Sequence, residues 1–380
     1  METKKYRFDE VTINFDKKRI PLSSAQREKR QGTFRYYGAQ GVIDHVDDYI
    51  YDGTYLLIAE DGENLKSKKQ NIAQVVDGQF WVNNHAHIVQ GNEQSDTRFL
   101  CYLINSMDLS GYVTGSAQPK LSQANLNAIT LSLPTLVEQK RIVEYLYMLD
   151  QKIDVNRQIN DNLEQQAHSY FQELFVDNAS PEWTTGTISD LGTVVGGSTP
   201  SKAKPEYYTE SGIAWITPKD LSINKSKFVS HGENDITELG LKNSSAAIMP
   251  EGTVLFSSRA PIGYIAIAAG EVTTNQGFKS VVPKPEIGTP FVYFFLKNTL
   301  PVIEGMASGS TFKEVSGSTM KNVSAVIPDA ETLAKFSDFC APIFAQQRIL
   351  EEQNQSLATL RDNLLPKLMS GEIDVSTVQL

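Results

Sequence analysis

Residues 115–140 read GSAQPKLSQANLNAITLSLPTLVEQK, and residues 309–334 read GSTFKEVSGSTMKNVSAVIPDAETLA. The two stretches align without a gap at an offset of 194 positions, and the register holds to residues 175 and 369. Matched identities are Gly115 and Gly309, Ser122 and Ser316, Pro134 and Pro328, Asn160 and Asn354, Leu163 and Leu357, and Leu174 and Leu368. A single long period of this kind indicates two duplicated domains and not a solenoid.

The apolar pattern agrees between the copies even where the residues differ. Leu121, Leu126, Ile129 and Leu133 align with Val315, Met320, Val323 and Ile327, so both copies are expected to bury the same face. Upstream the match continues with small shifts, since the segment 53–56 resembles 252–255 and 83–85 resembles 275–277. The front halves diverge and the back halves agree, which favours two recognition domains on one shared framework.

Both copies end in a segment with helical periodicity, whereas residues 1–136 and 183–331 alternate short apolar runs with Gly, Asn and Asp, which is typical of strands and loops. The first seam repeats at spacings of 4 and 3: Ile142, Leu146, Leu149, Ile153, Asn156, Asn160, Leu163, Ala167, Tyr170, Leu174. The second is Phe336, Cys340, Ile343, Gln347, Leu350, Asn354, Leu357, Arg361, Leu364, Leu368. Each helix of roughly 38 residues would be about 57 Å long, longer than a small domain is wide.

The polar middle of each seam predicts how the helices pair. In a flush antiparallel arrangement facing positions sum to about 510, so Asn156 faces Asn354, with Asn160 and Gln347 nearby. A buried amide pair costs stability but penalises slipped registers, in which an amide would face leucine. We therefore predict an antiparallel coiled coil whose register depends on these four amides. The alternative is that each helix packs on its own domain.

Composition is that of an ordinary globular protein, with 380 residues and 40% hydrophobic content. The first residues show no signal-peptide pattern and no stretch is apolar enough to span a membrane, so we expect a cytoplasmic protein without membrane contact. Cys101 and Cys340 belong to no CxxC pair, which favours buried free thiols over a disulfide or zinc site.

The net charge of −10 argues against strong general affinity for nucleic acid. The helical segments carry half of the acidic excess, with four basic and eight acidic residues in 137–177 and four and five in 332–372. Residues 1–36 hold ten basic and five acidic residues, which is either a solvated face or a local positive patch.

Several motifs together resemble the specificity subunit of Type I restriction-modification enzymes over nearly the whole chain. In the first half they are Tyr36 to Ala39, Gly41 to Asp44, Asp52 to Gly62 and Val82 to His87. In the second half they are Gly196 to Pro200, Ile213 to Leu221, Ser257 to Gly263 and Asn275 to Lys279. One departure from the family is that the first half lacks the Trp found at Trp183.

The resemblance implies an α+β protein with two mixed α/β target recognition domains in a pseudo-twofold repeat, separated by two long helices that form the antiparallel coiled coil. The predicted boundaries are 1–136 and 178–331 for the recognition domains, 137–177 and 332–372 for the spacer helices, and 373–380 for a tail. Each domain would read one part of a split site in double-stranded DNA. The helices would set the separation and dock two methylation subunits.

The resemblance also implies that this chain has no catalysis or cofactor of its own. The methylation subunits would bind S-adenosylmethionine and methylate a flipped adenine, and restriction subunits would use ATP and Mg²⁺. The residues agree, because the sequence has no GxxxxGK[ST] loop, no GxGxxG after a strand and no NPPY-like tetrapeptide. Rival interpretations are a protein-interaction scaffold, a self-contained methyltransferase or nuclease, or the specificity module of a related methyltransferase.

Contacts to DNA need Arg, Lys, Asn or Gln on accessible loops. The candidates are Lys17, Arg19, Arg27, Arg30, Lys120, Lys202, Lys204, Lys219, Arg259, Lys279 and Lys313. Gly196 and Gly197, ahead of Lys202, form either a phosphate-binding loop or a simple turn. His85 and His87 would share one face of a strand, and we expect them to make hydrogen bonds inside the domain and not to bind metal.

Overall fold

A computed structural model describes residues 2–67, 70–115, 118–309 and 313–373. The chain divides into two compact units, Met1–Ile153 with Ser356–Leu380, and Asp154–Gln355. We call them the first and second unit. The division falls inside both long helices, so each unit contains a piece of each.

The described residues of the first unit form ten strands and five short α-helices before the first long helix. The strands are β1 Lys4–Arg7, β2 Thr12–Asn14, β3 Gln31–Gly38, β4 Gly41–Val46, β5 Tyr51–Asp52, β6 Tyr55–Ala59, β7 Ala73–Val76, β8 Gln79–Val82, β9 Ala86–Gly91 and β10 Thr130–Leu133. The short helices are α1 Phe8–Val11, α2 Ser24–Glu28, α3 Asn64–Ser67, α4 Thr97–Ser106 and α5 Gln123–Ala128. The long helix is α6 Leu136–Gln172, extended by a π-helical turn Glu173–Asp177.

Two four-stranded sheets build this unit, in the orders β2-β9-β6-β7 and β4-β3-β8-β5, and β1 pairs with β10. All five residues of β6 are buried, as expected for a central strand covered on both faces. The core includes Leu56, Phe99 and Leu131. It also includes Leu146 of α6 and Leu368 near the chain's end, so both helix pieces of this unit pack on the same core.

The second unit repeats this plan after the π-helical turn. Its strands are β11 Thr184–Thr187, β12 Gly192–Gly196, β13 Tyr208–Thr209, β14 Ile213–Ile216, β15 Phe228–Val229, β16 Asn234–Ile236, β17 Val254–Ser258, β18 Ile262–Ala268, β19 Thr273–Thr274, β20 Lys279–Pro283 and β21 Ser324–Ile327. Its helices are α7 Ile188–Leu191, α8 Pro218–Ile223, α9 Glu238–Lys242, α10 Thr289–Gly305, α11 Gly317–Lys321 and the long α12 Ala330–Ser370.

Sheet order confirms the repeat. The sheets of the second unit run β12-β20-β17-β18-β15 and β13-β16-β14-β19, and β11 pairs with β21 as β1 pairs with β10. Strand pairing aligns Leu56 with Val254, because each faces an equivalent valine of β9 or β20. The sequence match of 53–56 with 252–255 is therefore one residue out of register. The matched serines Ser122 and Ser316 both cap a helix, accepting from the amides three residues on at 3.2 and 3.0 Å.

The long helices pair antiparallel, as predicted. Within the second unit Asn156 donates to Asn354 Oδ1 at 2.9 Å, and Gln347 donates to the carbonyl of Asn160 at 3.1 Å. Within the first unit Arg361 donates to Asp150 at 2.7 Å. The residue number of the partner in α12 decreases as the residue number in α6 increases, which is the order of an antiparallel pair. The facing pair is the one that the register arithmetic gives; whether these amides determine the register stays a prediction.

Packing of the helices on their own domains, the alternative to pairing, also occurs. Phe171 and Phe336 belong to one hydrophobic core with Phe291 and Phe294 of α10. Long helices that present one face to a partner helix and an adjoining face to a sheet satisfy both interpretations. The assignment of 1–136 and 178–331 as recognition domains stays a prediction.

Buried charge joins the helices to the sheets of the second unit. The Lys227 ammonium pairs with Glu164 of α6, donates to Gln347 at 2.7 Å and lies 3.9 Å from the centre of the Phe344 ring. Burial lowers the pKa of Lys227. Burial works against ionisation of Glu164 too, but its two lysine partners outweigh this and hold its pKa at about 2. Glu351 accepts from the backbone amide of Lys227 at 2.7 Å.

The corresponding joint in the first unit is more exposed. Asp150 of α6 accepts from Tyr102 of α4 and from Arg361, and the side chains of Asp150 and Arg361 are 28% and 26% exposed. The same helices are therefore attached by different chemistry in the two units.

Candidate DNA interface

The predicted arginines of the first unit are engaged inside the fold. Arg19 donates to Glu60 at 3.0 Å and to the carbonyl of Ala86 at 2.9 Å, and 16% of its side chain is exposed. Arg27 donates to Asp44 at 2.7 Å and to the carbonyl of Leu22 at 2.8 Å. Their donors hold loops together and are not directed at a ligand.

Three other basic residues of this unit remain accessible to different degrees. Arg30 pairs with Asp47 at 2.8 Å while its guanidinium lies 4.8 Å from the centre of the Trp81 ring. Lys120 is 55% exposed and lies 3.3 Å from Glu60. Lys17 is exposed in the helical turn 16–18.

A buried ion network underlies Lys120 and was not anticipated. His87 is 1% exposed, and its Nδ1 lies 2.7 Å from Asp16 while Nε2 lies 2.8 Å from the carbonyl of Leu121. Burial opposes charge on both groups, but their hydrogen bond outweighs it, so the pKa of His87 is raised and that of Asp16 is lowered. Burial also opposes the charge of Glu60, but its hydrogen bond with Arg19 and the other nearby cations outweigh this effect and lower its pKa.

The prediction that the histidines make internal hydrogen bonds is confirmed, but their shared strand face is wrong. His85 lies in the turn before β9, where its amide donates to Asn83 at 2.8 Å and its ring lies 2.6 Å from Asp61. The carboxylate partners come from distant parts of the chain, so local sequence did not reveal them. No group of residues suited to hold a metal ion occurs in the described ranges.

Four segments converge at one end of the second unit. The amide of Ser198 donates to the carbonyl of Thr274 at 2.9 Å, and the amide of Ser258 donates to that of Gly277 at 2.7 Å. The amide of Val315 then donates to the carbonyl of Ser258 at 3.0 Å. Three of these segments are the motifs 196–200, 257–263 and 275–279, and the fourth, 313–316, lies in the repeated stretch.

Gly197 lies where two of these segments approach each other closely. A Cβ there would lie 2.0 Å from the carbonyl oxygen of Asn275 and 2.4 Å from that of Thr274, closer than any side chain allows. The glycine therefore allows close approach of two backbones. Thr199 donates to the side chain of the exposed Gln276, and this hydrogen bond also connects the two loops. Gln276 was not among the predicted DNA-binding residues.

Two predicted cations meet at this surface, and a third lies next to their shared partner in the chain. Arg259 lies 3.4 Å and Lys279 lies 3.7 Å from the carboxylate of Glu314, and the exposed Lys313 precedes it. We call Arg259, Lys279, Lys313 and Glu314 the second-unit charge cluster. Glu314 was overlooked because only basic residues were sought.

The other predicted lysines of this unit lie elsewhere, Lys202 and Lys204 in a loop and Lys219 in the first turn of α8. Lys202 is exposed, Lys204 lies 3.6 Å from Glu206, and Lys219 pairs with Glu233. No described ion pair joins them to the second-unit charge cluster.

Comparison with known proteins identifies the family. The family model for the Type I restriction modification DNA specificity domain matches residues 2–165 and 181–360, and the chain belongs to this family. The resemblance drawn from the motifs is thereby confirmed.

Two relatives and one solved structure show how far the similarity extends. The chain is 39% identical over 191 residues to the Type I restriction enzyme MjaIX specificity subunit of Methanocaldococcus jannaschii, covering 48% of this chain and 44% of that relative. It is 23% identical over 404 aligned positions to the HindI specificity subunit of Haemophilus influenzae, covering 85% and 84%. The crystal structure of a Type-I restriction-modification system S subunit from M. genitalium shares the fold, with a TM-score of 0.59, 14% identity and coverage of 97% and 96%.

None of the helices in the described ranges combines the length and the apolar character that a membrane crossing requires.

Proposed function

We propose that this chain is the DNA-reading specificity subunit of a Type I restriction-modification system, in which each globular half reads one part of a split site. The observation that carries the proposal is the convergence of Arg259 and Lys279 on Glu314, next to the exposed Lys313, where the motif segments of the second unit meet. Membership in a family described by DNA specificity supports it.

Electrostatics favour a local contact surface over a general one. A chain with net charge −10 repels a polyanion at long range, so binding has to depend on a few cations at short range. Phosphate contacts would position the duplex, and Arg259 or Gln276 would read base edges in the major groove. In the first unit Lys17 and Lys120 would contribute, since Arg19 and Arg27 are already engaged.

The proposal assigns catalysis to other subunits. Methylation subunits docked on the long helices would bind S-adenosylmethionine and methylate adenine, and restriction subunits would supply ATP- and Mg²⁺-dependent cleavage. The chain itself would contribute affinity for one sequence over others.

Selection from random DNA tests the proposal. The purified chain is mixed with a methylation subunit and a random duplex pool, and retained DNA is sequenced. Enrichment of a two-part motif is expected, and mapping methylated adenines in cells with and without the gene should return the same motif. Retention without any enriched sequence, or no retention, would contradict the reading function and favour a protein scaffold.

Arg259→Ala locates the surface. If Arg259 reads guanine, the substitution relaxes preference at one base pair by about 1–3 kcal/mol; if it contacts phosphate, all sequences bind more weakly and the salt slope falls by roughly 0.9. Lys242→Ala is the matched control, because Lys242 is an exposed lysine of the same unit paired with Glu238 on α9. Unchanged binding by Arg259→Ala would place the interface elsewhere.

A further inference from the structure

A carboxylate lies at the centre of the basic surface. Glu314 is 37% exposed and faces Arg259 at 3.4 Å on one oxygen and Lys279 at 3.7 Å on the other. Arg259 is 36% exposed, so this half of the cluster is open to solvent and to a duplex. A phosphate that approaches either cation also approaches Glu314.

The backbone keeps Glu314 in place. Its amide donates to the carbonyl of Ser308 at 2.9 Å, and its own carbonyl accepts from Ser308 at 3.1 Å. An isolated β-bridge joins it to Arg259. Because the main chain is held on both sides, the carboxylate stays at the surface when DNA arrives, and its charge has to be accommodated.

The first unit shows that the fold does not need a carboxylate at this position. The equivalent residue is Lys120, which makes the same β-bridges, to Thr114 and to Asp61, as Glu314 makes to Ser308 and to Arg259. The charges are inverted, since Lys120 lies beside Glu60 whereas Glu314 lies between two cations. The backbone framework therefore tolerates either sign, and the negative charge requires a different explanation.

We propose that Glu314 is a specificity-determining residue of the second recognition half, an inference that rests on the proposed function. On non-cognate DNA the carboxylate repels phosphates and competes with them for Arg259 and Lys279, which weakens sequence-independent binding. On cognate DNA it accepts a hydrogen bond from an exocyclic amine in the major groove, which only cytosine and adenine offer there. The repulsion is then offset for the correct sequence alone.

Glu314→Gln tests this inference in the complex with the methylation subunit, using the selected duplex and a scrambled duplex of equal length. Glutamine keeps the size and an acceptor oxygen but loses the charge. Removing one charge near phosphates should raise affinity for scrambled DNA about fivefold and steepen its salt slope by roughly 0.9, with little change for the selected duplex. The ratio of the two affinities then falls about fivefold.

Glu238→Gln is the matched control, because Glu238 is an exposed carboxylate paired with a lysine on α9. A role limited to supporting the loops predicts a lower melting temperature and weaker binding to both duplexes, which overturns the inference. Unchanged scrambled-DNA affinity overturns it too. If Arg259→Ala still weakens binding in that case, the second-unit charge cluster remains the DNA surface and only the role of Glu314 fails. If Arg259→Ala has no effect, the interface lies elsewhere and the role of Glu314 fails, while the proposed function fails only if selection from random DNA returns no motif.

Discussion

The two units have the same backbone fold, but their side chains differ in charge at equivalent positions. In the first unit Asp61 and His87 occupy the places that Arg259 and Lys279 occupy in the second, by strand register. The hydrogen bonds that hold these places are made by main-chain atoms, as with Leu121 to Glu60 at 2.8 Å and Val315 to Ser258 at 3.0 Å. A framework held by its main chain leaves its side chains free to diverge, and divergence is what two different readers need.

The ion pairs that attach the long helices in each unit should give the largest difference in stability between the units. Lys227→Met removes the buried cation and leaves Glu164 with weaker compensation, so the second unit should lose about 3 kcal/mol of stability. Arg361→Met removes the half-exposed cation of the first unit and should cost roughly 1 kcal/mol. Urea unfolding of the two variants provides the comparison, with the exposed Lys225→Met as control. Equal losses in the free energy of unfolding would show that the two ion pairs contribute equally to stability.

The dependence of stability on pH provides the next comparison between the two units. His87 has a raised pKa, so its contribution to stability is complete below its ordinary value of 6.5 and is lost as pH rises through the raised value. Lys279 occupies the equivalent position in the second unit. We expect the wild type to lose stability above pH 6.5 relative to His87→Gln, which itself should be about 2 kcal/mol less stable at pH 6.

Melting curves of wild type and His87→Gln from pH 6 to 9 measure this difference. His85→Gln is the control, since His85 is 49% exposed in the neighbouring turn. Parallel curves for wild type and His87→Gln would show that the buried ion network does not respond to pH in this range.

The seam amides give the smallest expected change in stability. Asn156 and Asn354 meet at 2.9 Å, and replacing both with leucine should raise stability by about 1 kcal/mol while allowing slipped registers. Cysteine cross-linking of flush and one-heptad-shifted positions on a Cys101- and Cys340-free background reports the register. Asn162→Leu, on an exposed face of α6, is the control. A fall in stability with one unchanged register would contradict the register role.

The sequence predicted the framework well because its signals are local and repeated. Heptad spacing predicted long helices where α6 with its π-helical turn and α12 lie, and the polar seam positions identified the facing pair Asn156 and Asn354. The matched serines Ser122 and Ser316 cap equivalent helices, a role that the alignment alone did not assign to them.

Charge pairing was not predictable in the same way. Arg19 finds Glu60 and His87 finds Asp16 across 41 and 71 residues of sequence, so neither partner was visible in a local window. The basic run of residues 1–36 therefore suggested a positive patch where the fold uses Arg19 and Arg27 internally. Lys227 follows the exposed Lys225 by two residues, and only the packing of α10 and α12 shows that Lys227 is buried.

The contact at Gly197 limits how new specificities can be engineered. Its backbone lies against the carbonyls of Thr274 and Asn275, and the loop 275–279 is hydrogen-bonded to segment 257–263, which is hydrogen-bonded in turn to segment 313–316. A loop transplanted by itself would arrive without its neighbours' matching shape. Exchange of DNA preference between homologues should therefore succeed when all four pieces travel as one cassette, with β-strand ends as the splice points.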